Sequence, residues 1–350
     1  MLALVTAACL VTLVTVGVGY VVHSNPDRAA LVKTAPESRS PAPSSSSAAP
    51  VEMASDLSVT MTARPKATKK AEKPKPKKKT PKPTPTPEPP PVLDFVISSF
   101  NVLGSSHTSG SGKRPGMASG RTRAGFAASL IRRHGSDVVG FQELQGDQLA
   151  VMQRRTGMDF YPGFALRRRD TENSIGWRRD TWVAVEKHTV TIPYFNGNGR
   201  PMPYVRLRNI QTGIEAWFAN FHNPADTHRY HRQQRYRDRA TSIQVALANR
   251  LIRETGLPVF ITGDMNERDE YFCRMTGGAP MIAARGGSNS GGCKPGNPRA
   301  VDWIFGSQGV DFTGYFEDRS RLVGRTTDHP VIVARARLVG KATAGTVDAD

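Results

Sequence analysis

Several apolar runs of the chain end on residue types that can hold a cation or move a proton. SSFNVL closes on Asn101, VVGFQEL carries Glu143, VFITGDMN finishes on Asp264 and Asn266, AVDWIF contains Asp302, and TTDHPVIV opens with Asp328 and His329. A lone Asp or Asn at a strand end is ordinarily a turn former or a helix cap. Recurrence at successive strand ends points instead to a site assembled on one rim of a sheet, where loops on a rigid scaffold carry function. Carboxylate and amide oxygens are hard donors that suit Mg²⁺, Mn²⁺ or Ca²⁺. A thiolate zinc site is not indicated, since the cysteines are Cys9, Cys273 and Cys293, with no CxxC spacing.

The elements that must position these residues read as strands over 93–102, 137–144, 182–192, 204–210, 215–222, 258–263, 300–306 and 330–338, and as helices over 122–134, 146–156 and 231–255. The first two helices alternate with strands, an α/β pattern, whereas the middle strands follow one another as antiparallel hairpins do. Two mixed sheets packed face to face, with helices outside, satisfy both patterns.

The succession FN, QE, FH, GDMN, VDWIF and DHP, in that order and at those separations, resembles the endonuclease/exonuclease/phosphatase superfamily over about residues 93–338. That resemblance implies a four-layer α/β/β/α sandwich and a metal-dependent phosphodiesterase. It implies Glu143 as the principal metal ligand, assisted by Asn101 and Asp328, with Mg²⁺ as the expected ion and Mn²⁺ or Ca²⁺ as alternatives. His329 would contact the scissile phosphate, oriented by Asp302, while Asp264 and Asn266 would orient the attacking water and hold the phosphate. His222 resembles the family's second histidine, on the leaving-group side, and Glu172 in TENSIGW is the nearest match to a carboxylate that would orient it. Arg200 lies near the phosphate-contacting arginine; its bland reading is a surface charge on a hairpin. Cys273 and Cys293 stand where the pancreatic deoxyribonuclease branch of the family carries a disulfide. The chemistry is consistent, because water attacks an anionic phosphodiester only when charge is neutralised and a base takes the proton.

Charge narrows the partners. The chain has 48 Lys plus Arg against 30 Asp plus Glu, a net charge of +18, of which residues 93–350 keep +11. So basic a domain suits anionic partners such as nucleic acid, phosphorylated small molecules or phospholipid surfaces. DTHRYHRQQRYRDRA follows His222, and on a helix Arg232 and Arg235 would share a side with Arg239, able to grip phosphates beside Tyr230 and Tyr236; a solvated helix face reads the same. Nucleic acid is therefore the expected substrate of a nuclease with a monomeric catalytic domain. A phospholipid or small-phosphoester hydrolase is the alternative, with the IPYFNGNG hairpin at 192–199 as its one apolar membrane-facing candidate. A non-catalytic binding module is the third reading.

Residues 1–23 contain an uncharged run, Leu2 to Val22, long enough to cross a bilayer, which reads as a transmembrane anchor or as a cleaved signal segment. Residues 24–91 are rich in Pro, Lys, Ser and Thr and read as a disordered, semi-stiff linker. The catalytic domain is then 92–340, with a flexible tail at 341–350. Arg28, Lys33 and Arg39 beyond the apolar run favour a cytoplasmic domain, whereas the proline-rich spacer favours an extracellular or secreted one.

Overall fold

The computed structural model describes residues 89–111, 114–296 and 301–340. The expected membrane segment, almost all of the linker and the tail lie outside these residues. Among the described residues, no helix is long and apolar enough to cross a membrane.

The strands are β1 (Val92–Asn101), β2 (Val138–Gln142), β3 (Met158–Tyr161), β4 (Ile175–Arg178), β5 (Trp182–Pro193), β6 (Gly199–Asn209), β7 (Glu215–His222), β8 (Val259–Asp264), β9 (Met281–Ala283), β10 (Gly287–Ser288), β11 (Lys294–Pro295), β12 (Asp302–Ser307), β13 (Asp311–Asp318) and β14 (Val331–Val339). The helices are α1 (Gly120–His134), α2 (Gly146–Thr156), α3 (Gln234–Thr255), α4 (Asp269–Gly278) and α5 (Arg321–Thr326). One sheet runs β13-β14-β1-β2-β4-β3 and the other β5-β6-β7-β8-β12-β9. Both are mixed: β1 pairs parallel with β2 and β7 parallel with β8, and their other pairings are antiparallel.

Burial explains the layering. Phe95, Ile97, Trp182, Phe218, Phe260 and Ile332 fill the space between the sheets. Phe100, Val139, Phe141, Ala127, Leu130 and Leu149 join the first sheet to α1 and α2. Phe221, Ile261, Trp303, Leu247, Tyr271 and Phe272 join the second to α3 and α4. Each central strand thus buries both faces, which is why β2 and β8 are buried throughout and read as continuous apolar runs.

Near the site the two sheets are latched by polar side chains. Asn220 on β7 donates to the carbonyls of Phe141 (2.6 Å) and Asn173 (3.0 Å) and accepts from Gln142 Nε2 (2.7 Å) and Thr262 Oγ1 (3.0 Å). The approach requires Gly140, where a Cβ would come within 1.9 Å of Thr262 Oγ1.

Candidate active site

Strand direction collects the polar residues on one rim. Asn101 and Gln142 pair at the C-terminal ends of β1 and β2, with Glu143 next in sequence. His222 pairs with Asp264 at the C-terminal ends of β7 and β8, and Asp264 pairs with Asp302 at the N-terminal end of antiparallel β12. His329 precedes β14, which runs antiparallel to β1, so it arrives at the same rim.

Asn101, expected as a metal ligand, is fully buried with its Oδ1 turned to the Leu103 N–H (3.0 Å), so its NH₂ group, which cannot ligate a cation, faces Glu143 Oε1 and Asp264 Oδ2, each at 3.1 Å. Glu143 Oε2 accepts from the Gly104 N–H at 2.9 Å and lies 3.1 Å from His107 Nε2. Burial opposes its charge, but the His107 hydrogen bond, the charge of His222 and the Gly104 N–H hold the carboxyl well below the usual range. Glu143 takes a φ of 60°, Leu103 54° and Asn266 50°, left-handed conformations that cost energy for such residues and concentrate at functional sites.

Asp264 Oδ2 is a hub. Besides the Asn101 amide it has His222 Nε2 at 3.6 Å and His329 Nε2 at 3.7 Å. His329 Nδ1 sits 3.1 Å from both carboxylate oxygens of Asp302. One donor atom each from Asp264, Asp302 and His329 falls within 4.8 Å of the others. Asn266 donates its backbone N–H to Asp264 Oδ1 (3.0 Å) and its side-chain NH₂ to the Asn223 carbonyl (2.9 Å). Asp328 is ion-paired with Arg114 at the half-exposed edge of the site.

Beside Glu143 and His222 opens a cleft of about 770 Å³, lined also by Arg169, Arg200, Arg229, Tyr194, Phe195 and Tyr230. Here the structure departs from the sequence reading. Glu172 does not orient His222: it is bound by Arg200 and by Gln145 Nε2 (3.2 Å), while the group at His222 Nδ1 is the Tyr194 hydroxyl at 3.4 Å. Arg200 is no solvated hairpin charge; its guanidinium is largely covered and lies 4.8 Å from the Tyr194 ring. Arg232 and Arg235 do not line the cleft. Arg232 has a φ of 57° and α3 starts only at Gln234, so Arg232 cannot share a helix face with Arg235, whose guanidinium is taken by the Tyr236 hydroxyl at 2.7 Å.

Other residues at the site carried no sequence signal. His107 lies in a short 3-10 turn, Ser105–Thr108. Arg123 on α1 is fully buried and donates to the carbonyls of Val102, Leu103, Gly104 and Thr326, fixing both chain segments that frame Glu143 and His329. Apart from these residues, the bridge implied by the resemblance is present: Cys273 and Cys293 form a disulfide with a Cα–Cα distance of 5.6 Å.

The sequence model of the endonuclease/exonuclease/phosphatase family matches residues 98–329. The chain belongs to this family. No curated protein matches it. Among solved structures, a family protein from Bacteroides thetaiotaomicron is 18% identical, with 71% of this chain and 96% of that chain covered at a TM-score of 0.55. A mannosyl-6-phosphatase from Bacteroides thetaiotaomicron VPI-5482 is 18% identical over 69% of this chain and 99% of its own, TM-score 0.53. The human nocturnin catalytic domain, solved with a bound sulfate anion, is 14% identical over 72% and 100%, TM-score 0.53. Likeness at such identities shows the shared fold. Family members are phosphoester hydrolases that generally use divalent metals, and the donor set here fits one: Asp264, Asp302 and His329 bring donor atoms within 4.8 Å of one another, and Glu143 is held ionised beside an open cleft.

Proposed function

We propose that the chain is a divalent-metal-dependent phosphodiester hydrolase acting on DNA or RNA. The observation that supports this most is His329, held between Asp302 and Asp264 on the same rim as Glu143. Glu143 and Asp328 would hold the cation, Mg²⁺ by preference, with the Asn101 NH₂ fixing the Glu143 carboxylate. The ion would neutralise phosphate charge and acidify a bound water. Asp264, an acceptor, takes the proton of the attacking water, with Asn266 holding the GDMN turn through its bond to the carboxylate. His329, kept cationic by Asp302, donates from Nε2 to a phosphate oxygen. His222, backed by Tyr194, serves the leaving-group side, and Arg200 closes the phosphate end of the cleft.

A phospholipid substrate is the second reading, favoured by one observation. Phe164 and Leu166 are 52% and 41% exposed on the loop that leads into Arg167, Arg168 and Arg169, an apolar tip beside cations that suits an anionic interface. The expected hairpin candidate is weaker, because its Phe195 stacks on Tyr230. For location, we place the catalytic domain outside the membrane, tethered by the N-terminal segment or released by its cleavage, since a disulfide persists in oxidising compartments.

The test is hydrolysis of DNA, RNA, bis-p-nitrophenyl phosphate and sphingomyelin vesicles with Mg²⁺ and with EDTA. We expect nucleic acid turnover that EDTA abolishes, and a Glu143→Ala variant that stays folded while losing several kcal/mol of transition-state stabilisation. Undiminished turnover in EDTA would remove the metal-dependent reading, and turnover of vesicles alone would replace nuclease by phospholipase.

A further inference from the structure

Two cations in the cleft are left uncommitted by the reaction. Arg169 comes from the 3-10 turn Arg168–Asn173 and Arg229 from the loop before α3. Both are exposed, and among the described residues neither has a carboxylate partner, unlike Arg200 and Arg237. Phe195 and Tyr230 line the same cleft, stacked at 4.4 Å between centroids with planes 15° apart. The Arg229 guanidinium is 5.5 Å from the Tyr230 ring. Gly197, at the tip of the β5–β6 hairpin, has a φ of 82° and sits against Tyr236, where a Cβ would meet the ring at 2.7 Å, so the tip that carries Phe195 is held in place.

An aromatic wall beside guanidiniums that no carboxylate neutralises recognises a planar ring attached to a phosphate other than the one being cleaved. A sugar monophosphate offers no second phosphate, and a phospholipid headgroup offers no ring to stack. The cleft, about 770 Å³ and open on one side, is of the size that takes one nucleotide, and a base can stack on a protein ring only when it is unpaired and unstacked from its neighbours. Resting on the phosphodiesterase reading above, we infer that this cleft is a subsite for one unpaired nucleotide flanking the scissile phosphate, its base stacked on the Phe195–Tyr230 wall and its phosphate held by Arg169 and Arg229. The substrate class is then single-stranded nucleic acid or a frayed end, and the interior of a duplex is excluded.

The test uses fluorescence anisotropy with fluorescein-labelled ten-nucleotide DNA in EDTA, so that binding is read without turnover. Affinity for the single strand should fall with salt with a log-log slope of about −0.7 per neutralised phosphate, and Arg169→Ala and Arg229→Ala should each flatten it by about that amount. Tyr230→Leu should weaken binding about 5- to 150-fold at every salt concentration, and Tyr230→Trp should restore it, which separates lost stacking from a damaged loop. A duplex of the same length should bind more weakly and ignore the Tyr230 substitutions. Equal duplex and single-strand affinity, slopes unchanged in both arginine variants, or displacement of the strand by inositol phosphate or anionic vesicles as readily as by unlabelled oligonucleotide would each overturn the subsite. Hydrolysis of bis-p-nitrophenyl phosphate by the unaltered protein with Mg²⁺ is the separate arm. If it proceeds while the anisotropy results fail, the subsite is wrong and the phosphodiesterase reading stands; if no phosphodiester is cleaved, the reading itself falls.

Discussion

Burial alone would strip His329 of its proton, yet Asp302 at 3.1 Å, and then Asp264, raise its pKa from 6.5 to about 10. The folded state therefore binds this proton more tightly than the unfolded chain. The resulting stabilisation is complete below about pH 6.5 and is lost as pH rises through about 10. In EDTA, the melting temperature should accordingly drop across that window, and Asp302→Asn should flatten the drop; an unchanged pH profile in the variant would show that Asp302 does not hold the imidazolium. In turnover, His329→Ala should lose about 10²–10⁴-fold and Asp302→Asn somewhat less. The double variant should be little worse than His329→Ala, because groups that act as one unit are not additive. Multiplying losses would mean that the two act independently.

At the scale of elements, the site depends on how tightly β2 and β7 approach each other. Asn220 is fully buried and satisfies two carbonyls while accepting from Gln142 and Thr262. Asn220→Ala would leave several buried polar groups without partners, a loss of about 1–3 kcal/mol or more, readable as a lower urea midpoint. Activity should fall as well, because Gln142 sits next to Glu143 and shares its strand end with Asn101. A variant with the urea midpoint of the parent would show that the latch contributes nothing to stability. Strands β3 and β4, each four residues long, and helices α4 and α5 do not stand out in the sequence, being too short or too irregular to display a period.

For the whole molecule, the disulfide closes the glycine-rich segment between α4 and β12, with a sequence separation of 20 between its cysteines. A bridge over a loop of that length should contribute about 3 kcal/mol by restricting the unfolded chain. Reduction should therefore lower the melting temperature of the catalytic domain, and Ellman titration of the denatured, unreduced domain should find neither thiol free. Two free thiols would count against an oxidising compartment and favour the cytoplasmic orientation suggested by Arg28, Lys33 and Arg39.

The sequence by itself determined the residue types of the site, their order and their places at strand ends, because apolar runs and their polar terminators are local patterns. From these, the two mixed sheets, the family and the gathering of Glu143, Asp264, Asp302 and His329 on one rim were legible. Partnership was not. That Tyr194 and not Glu172 meets His222, that Arg200 lines the cleft ion-paired with Glu172, that His107 reaches Glu143, and that Arg169 and Arg229 face the cleft in place of Arg232 and Arg235 were decided only by the tertiary structure. These pairings join segments from different strands and loops, so they depend on strand order, register and the left-handed turn at Arg232, none of which leaves a periodic trace in the chain.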